Sequence, residues 1–193
     1  RAARIAEMVL WIGYLQWHYR THGNVNPPEP VLRDFKNIEN RDALISYERQ
    51  EALLDNDGKP VTRWDGESYK TSPITGEKIP DESVQVQQYH YIGVKKAEWP
   101  QADYIVGNPP YIGARRIRYA LGDDYLHALR TTYPDIPENA DFVMYWWEKS
   151  AALLGENKTN SFGLITTNSL RQSFSRKVLD NAFAKYPSMG ISF

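Results

Sequence analysis

The chain has 193 residues, is 41% hydrophobic and 13% aromatic, and carries a formal net charge of −1 at pH 7. That length and apolar content suffice for one domain with a real core, while the near-zero charge means a nucleic-acid partner has to be met by a local patch. There is no cysteine, which excludes a disulfide framework and a thiolate metal site and fits a reducing cytoplasm, and neither a membrane-length apolar run nor a signal-peptide pattern is present.

Ala2 to about Arg20 sets Ile5, Met8, Val9, Ile12, Leu15 and Tyr19 at helical spacing, with Leu10, Trp11 and Trp17 widening the apolar face. A well-buried helix ending before His22-Gly23 is expected, its tryptophans read as core packing more readily than as a base-stacking platform. Because the chain starts inside this pattern at Arg1, it reads as a piece of a longer protein. Asn24 to Pro30 is a proline-rich surface connection; its Asn26-Pro27-Pro28 is followed by Glu29 and lacks both a preceding strand and a following ring. The stretch Asp34 to Ile45 holds a short strand candidate, followed by Asn40-Arg41-Asp42-Ala43-Leu44. In a doubly wound sheet, ligands bind beyond the carboxyl ends of strands, so Asp42 is either an acceptor for a nucleobase amino group or ribose, or a solvated turn aspartate.

From about Ser46 to Trp99 the pairs Asn56-Asp57-Gly58, Asp65-Gly66 and Thr75-Gly76 alternate with β-like runs such as Pro60 to Trp64 and Val84 to Val94, as in a β-hairpin insertion. Turn chemistry accounts for Asp55, Asp57, Asp65, Glu67 and Asp81, whose spacing matches no calcium loop. His90 has no second histidine at ligand spacing, so no metal site is expected.

The informative stretch is Tyr104-Ile105-Val106-Gly107-Asn108-Pro109-Pro110-Tyr111, a buried-strand pattern that runs into a stiff turn. Two prolines remove two backbone donors and leave the Asn108 and Pro109 carbonyls free to accept, while Asn108 adds an amide oxygen and Tyr111 a flat ring. Such parts suit a planar amino group such as adenine N6. Acceptors on both N–H bonds that pull the nitrogen toward tetrahedral geometry would aim its lone pair at an electrophile, a stabilisation specific to the transition state. The bland alternative is a tight strand exit with a packed tyrosine.

Beyond it, Arg115, Arg116 and Arg118 are either a solvated loop or helix start, or phosphate contacts beside the turn. A short helix is expected from Gly122 to about Thr131. A stronger one runs from Ala140 to Leu154, with Asn139 or Asp141 as its cap and Phe142, Tyr145, Trp146, Lys149, Ala152 and Leu153 on a largely apolar face. Phe162 to Thr167 reads as a buried strand and Ser173 to about Tyr186 as a helix covering the sheet. Strand, helix, strand, helix implies a parallel α/β sheet with right-handed crossovers.

Asn108-Pro109-Pro110-Tyr111 after Tyr104-Ile105-Val106-Gly107 resembles the catalytic motif of the S-adenosylmethionine-dependent amino-group methyltransferases, above all the adenine-N6 DNA methyltransferases. The wider stretch Ala97 to Gly113 is similar to the methylase part of restriction-modification enzymes that join methyltransferase and endonuclease in one polypeptide. The resemblance implies a partial Rossmann-like class I methyltransferase sheet with helices on both faces and a β-hairpin insertion. It divides into 1–45 (first helix and cofactor-side strand), 46–99 (β-rich insertion) and 100–193 (catalytic half). It also implies that Asn108, Pro109, Pro110 and Tyr111 carry catalysis, and that Asp42, Ala43 and Asn108 lie at the cofactor. Duplex DNA with a flipped adenine would meet Tyr111, Phe142, Trp146, Arg115 and Arg116. For Phe142 and Trp146 ordinary core packing is the alternative, and it is the preferred reading for Trp147.

The chain has no Gly-x-Gly loop after a strand, so the S-adenosylmethionine site is expected to be incomplete and the isolated fragment inactive. The resemblance leaves room for endonuclease and target-recognition domains elsewhere in the full-length polypeptide, in a bacterial or archaeal cytoplasm. Two rivals stay open. One is a glutamine-N5 protein or guanine-N2 RNA methyltransferase with the same motif; the other is a non-catalytic DNA-binding module of the same fold.

Overall fold

The computed structural model describes residues 2–27 and 38–190. Two compact units are distinguished, Arg1–Asp42 and Ala43–Phe193. The first contains α1, Ala2–His22, longer by two residues than its periodicity suggests. The expectation of a buried helix is not met: Ile5, Met8, Val9, Leu10, Ile12 and Trp17 are exposed and His18 is the buried residue. The reason is visible in the sequence. Apolar residues lie nearly all round this helix, so it has no single stripe to turn inward. Of the stretch Asp34 to Ile45 where a strand is expected, residues 34–37 lie outside the described residues, residues 38–44 form no strand, and β1, Ile45–Ser46, starts at its last residue.

In the second unit the insertion is a nested antiparallel ribbon. Strand β1 pairs with β8 (Lys95–Lys96), β2 (Arg49–Ala52) with β7 (Tyr89–Ile92), β3 (Thr62–Trp64) with β6 (Gln85–Gln87), and β4 (Tyr69–Thr71) with β5 (Lys78–Pro80). Between β2 and β3 the chain makes a small side hairpin closed by Leu54 opposite Pro60. Gln88 spans its base, accepting from Leu53 N–H and donating to the Val61 carbonyl, so the ribbon continues past the excursion.

The stem of the ribbon is fastened by polar groups. Trp99 Nε1–H donates to the Ala43 carbonyl at 2.6 Å, and the buried Tyr133 hydroxyl donates to the Leu44 carbonyl at 2.8 Å. Lys149 Nζ donates to the Ala97 carbonyl and lies 4.9 Å from the Trp99 ring centroid. Each such bond contributes ~1 kcal/mol net, but leaving its buried carbonyl unpaired would cost more, so the stem is held firmly.

The remainder is helical around one parallel strand pair. Strand β9, Tyr104–Gly107, lies beside β10, Ser161–Leu164, with Tyr104 opposite Ser161 and Gly107 opposite Leu164. They are joined through α2 (Ala114–Leu121), α3 (Asp123–Thr132) and α4 (Val143–Gly155), and α5 (Ser173–Lys185) follows after a short 3-10 turn at Asn168–Arg171. The described residues thus form a mixed α/β fold with several small sheets.

Strand alternation separates the two faces of the pair. Ile105, Phe162 and Leu164 turn toward the helices, where the Phe162 ring centroid lies 5.8 Å from that of Trp147. On the other face Tyr104 is 69% and Val106 84% exposed, so helices on both faces are not found among the described residues. Helix α4 is apolar on several sides and buries Val143, Met144, Tyr145, Trp147 and Ala151, making it the centre of the core. Helix α5 contributes the narrower stripe Ser175, Val178 and Ala182.

Candidate functional site

The turn leaves the carboxyl end of β9, where an α/β unit opens for a ligand. Pro109 is buried, whereas Asn108 and Pro110 are exposed and Tyr111 is 50% exposed. Buried Pro109 anchors the turn while Asn108, Pro110 and the Tyr111 ring remain accessible to solvent. Ile165 N–H donates to the Gly107 carbonyl, extending the strand pairing up to the motif. Immediately beyond, no backbone N–H of the described residues donates to the Asn108 or Pro109 carbonyl, as expected where prolines interrupt the pattern. The Pro110 carbonyl accepts from Ile112 N–H at 3.2 Å.

One contact was not legible in the sequence. The Tyr111 hydroxyl donates to the Asn108 amide oxygen and so occupies one of that oxygen's two acceptor positions. The second remains for another donor.

Tyr111 leads to Ile112-Gly113 and then α2, which is stitched to the start of α4. Phe142 N–H donates to the Ile112 carbonyl at 3.0 Å, and Asp141 Oδ1 accepts from Ala114 N–H, also at 3.0 Å. This corrects the capping expectation. Asp141 caps the first turn of α2, and α4 starts at Val143 without a side-chain cap.

Phe142 is 3% exposed and belongs to the core, with its ring edge-on to the half-buried Trp146 at 4.7 Å between centroids. Arg115 and Arg116, in the first turn of α2, are exposed, and among the described residues neither has an acid at ion-pair distance. Arg118 pairs with Asp123 at the start of α3. Arg115 and Arg116 therefore follow the turn on one short helix with their charge uncompensated by a neighbouring carboxylate.

Of the three residues expected at the cofactor, Asn108 lies in the turn, whereas Asp42 and Ala43 fall on a different part of the chain. Asp42 closes the first unit and is half-buried; Ala43 opens the second, with its carbonyl already accepting from Trp99. The described residues contain no cluster of three His, Cys, Asp or Glu able to hold a metal ion. None of their helices is long and apolar enough to cross a membrane.

A family model, described as the MmeI DNA-methyltransferase domain, matches residues 1–193. No curated protein and no solved structure gives a match. With its strand-borne Asn-Pro-Pro-Tyr turn at the end of a parallel pair, and with the match running over its whole length, the chain belongs to the MmeI DNA-methyltransferase domain family.

Proposed function

We propose that this domain transfers a methyl group from S-adenosylmethionine to adenine N6 in DNA, as the methylase part of a restriction-modification enzyme. The observation that carries the reading is the Asn108-Pro109-Pro110-Tyr111 turn, with two proline-freed carbonyls, one amide oxygen and an accessible ring at the carboxyl end of β9. The amide oxygen of Asn108 and the carbonyl of Pro109 accept the two N6 hydrogens of a flipped adenine, and the Tyr111 ring stacks on the base. As the nitrogen becomes tetrahedral, those acceptors hold its protons and orient its lone pair, so no separate strong base is required. Arg115 and Arg116 meet the phosphates beside the flipped nucleotide. Trp146, resting against Phe142, borders the base side of the site.

The residues present fit the cofactor in part. With the Pro109 carbonyl assigned to N6, the Asn108 backbone carbonyl is the acceptor left for the ammonium of its amino-acid end, and Asp42 with Ala43 is the candidate for its adenine; when bound, the cofactor would supply an electrophilic methyl group. A fuller Rossmann-like sheet, of which β9 and β10 are two parallel members, is part of this reading.

The test is methyl transfer from labelled S-adenosylmethionine by the full-length parent, offered duplex DNA, tRNA and protein extract in parallel. N6-methyladenine in DNA is expected, and Asn108→Ala should reduce transfer by about 100-fold or more, the scale of removing one preorganised transition-state contact. Unchanged turnover of that variant refutes the assignment, and label in protein or RNA refutes the substrate.

A further inference from the structure

Helix α2 is poorly equipped to hold its own position. Its eight residues, Ala-Arg-Arg-Ile-Arg-Tyr-Ala-Leu, contain one buried side chain, Ile117, and its first turn carries two arginines and no acid. Cations at a helix N-terminus oppose the macrodipole, and helices this short do not persist unaided. Yet α2 carries Arg115 and Arg116 and begins directly after the motif turn. Two distant side chains hold it, one at each end and each of the sign the dipole favours; at the C-terminus Arg63 adds to Arg118 of the helix's own last turn, whose charge is paired with Asp123.

At the N-terminus the Asp141 carboxylate accepts from Ala114 N–H, reaching across 27 positions of sequence from the loop before α4. At the C-terminus Arg63, from β3 of the insertion, donates to the Tyr119 carbonyl at 3.4 Å and lies across the α2–α3 junction at Gly122. The neighbouring Trp64 ring packs on Tyr119 at 4.9 Å between centroids, and Gly66 sits close to the Ala120 backbone, where a Cβ would come within 3.5 Å. The backbone at Gly66 and at Gly122 has φ of +83° and +86°, so both junctions favour glycine. The insertion carries more acidic than basic residues between Ile45 and Lys96, which makes it a poor phosphate track but a suitable brace.

We infer that Asp141 and Arg63 clamp α2 from its two ends and are positioning residues, Asp141 for the Asn108-to-Tyr111 turn and Arg63 for the cationic face of α2. The role rests on the methyl-transfer reading and extends it to the insertion, which thereby acts on catalysis without touching substrate. The two ends have separable effects. Loosening the N-terminus releases Ile112-Gly113, next to Tyr111, and disturbs the reacting geometry; loosening the C-terminus moves the arginine-bearing face and disturbs DNA capture.

The experiment uses the full-length parent with Asp141→Ala, Asp141→Asn, Arg63→Ala and Arg63→Lys, reading kcat and KM for duplex DNA together with Tm. Asp141→Ala should lower kcat by roughly 10- to 100-fold, as a misplaced reactive group does, with the KM for DNA nearly unchanged. Asp141→Asn, which keeps an oxygen acceptor for Ala114 N–H, should recover most of it. Arg63→Ala should raise the KM for DNA about 2- to 5-fold at near-normal kcat, the scale of one helix-end charge, and Arg63→Lys should restore it. Amide exchange of Ala114–Leu121 is read on the same proteins without substrate and should accelerate in both alanine variants. Unchanged exchange, or kinetic losses that follow Tm alone with no split between kcat and KM, overturns the clamp. If the unaltered parent labels no DNA, the functional reading has failed, and the exchange data alone then decide whether Asp141 and Arg63 hold α2.

Discussion

Tyr111 offers two groups, a ring and a hydroxyl, and substitution separates them. The ring is half-exposed, whereas the hydroxyl donates to the Asn108 amide oxygen. Tyr111→Phe removes a partly solvated hydrogen bond of ~0.5–1.5 kcal/mol and at the same time frees an acceptor position on Asn108, two effects of opposite sign. Its kcat/KM for duplex DNA should therefore stay within about 10-fold of the parent. Tyr111→Ala removes the stacking surface, worth ~1–3 kcal/mol per base, and should lose a further ~5- to 160-fold. The assay is steady-state transfer of labelled methyl groups by the full-length parent, with a fluorescent adenine analogue at the target position reporting base extrusion. If Phe is as damaging as Ala, the ring is not the working part of Tyr111, and the stacking role is refuted.

Two further outcomes concern stability. Gly155 ends α4 beneath the ring of Tyr186, where an added Cβ would come within 2.2 Å of a ring atom. Gly155→Ala, which in an open helix would gain up to ~1 kcal/mol, should here cost about 1–3 kcal/mol by overpacking, and in a Tyr186→Ala background the penalty should vanish; a higher Tm in the unaltered background would contradict this packing. The carboxyl of Asp65 is held below its ordinary value of 3.8, first by the Ser68 hydroxyl and then by the Ser68 and Glu67 backbone N–H groups. Because the folded value is the lower one, this contribution is fully present above about pH 4 and lost as pH falls through the folded value. The stability difference between the parent and Asp65→Asn should accordingly shrink on acidification below that point, and a difference independent of pH would refute it.

Sequence periodicity located α3, α4, β9, β10 and α5 to within a few residues, because each has a strong local signature. It failed where the determining contacts are remote. The segment Arg115 to Arg118 has too few apolar residues to announce a helix, and α2 exists through Ile117 and partners far along the chain. Capping read as a local rule offers Asp141, beside Asn139, to the nearer helix, whereas its actual partner is Ala114. For α1, correct spacing gave the helix but not its exposure, since its apolar residues form no single face. At the site, the motif turn and its unpaired carbonyls follow from two prolines alone. The Tyr111 to Asn108 bond depends on how the turn folds back, which residue order does not specify.

The nested ribbon has a practical consequence. Since Ile45 lies opposite Lys96, the chain leaves the helical body and re-enters it at one place, and the segment between is tied to that body by the stem, by His90 and Tyr91 of β7 against Asp124 and Tyr125 of α3, and by the Arg63 to Gly66 segment. Past Tyr69 the strands β4 and β5 run out to the turn Ser72 to Glu77, whose Ile74 is almost wholly exposed. Loop-closure entropy grows slowly with length, so a peptide tag or fluorescent reporter spliced at Ile74 should leave the Asn108 to Tyr111 turn and α2 unchanged. The arm thus offers a handle by which the enzyme could be immobilised or observed while it works on its substrate.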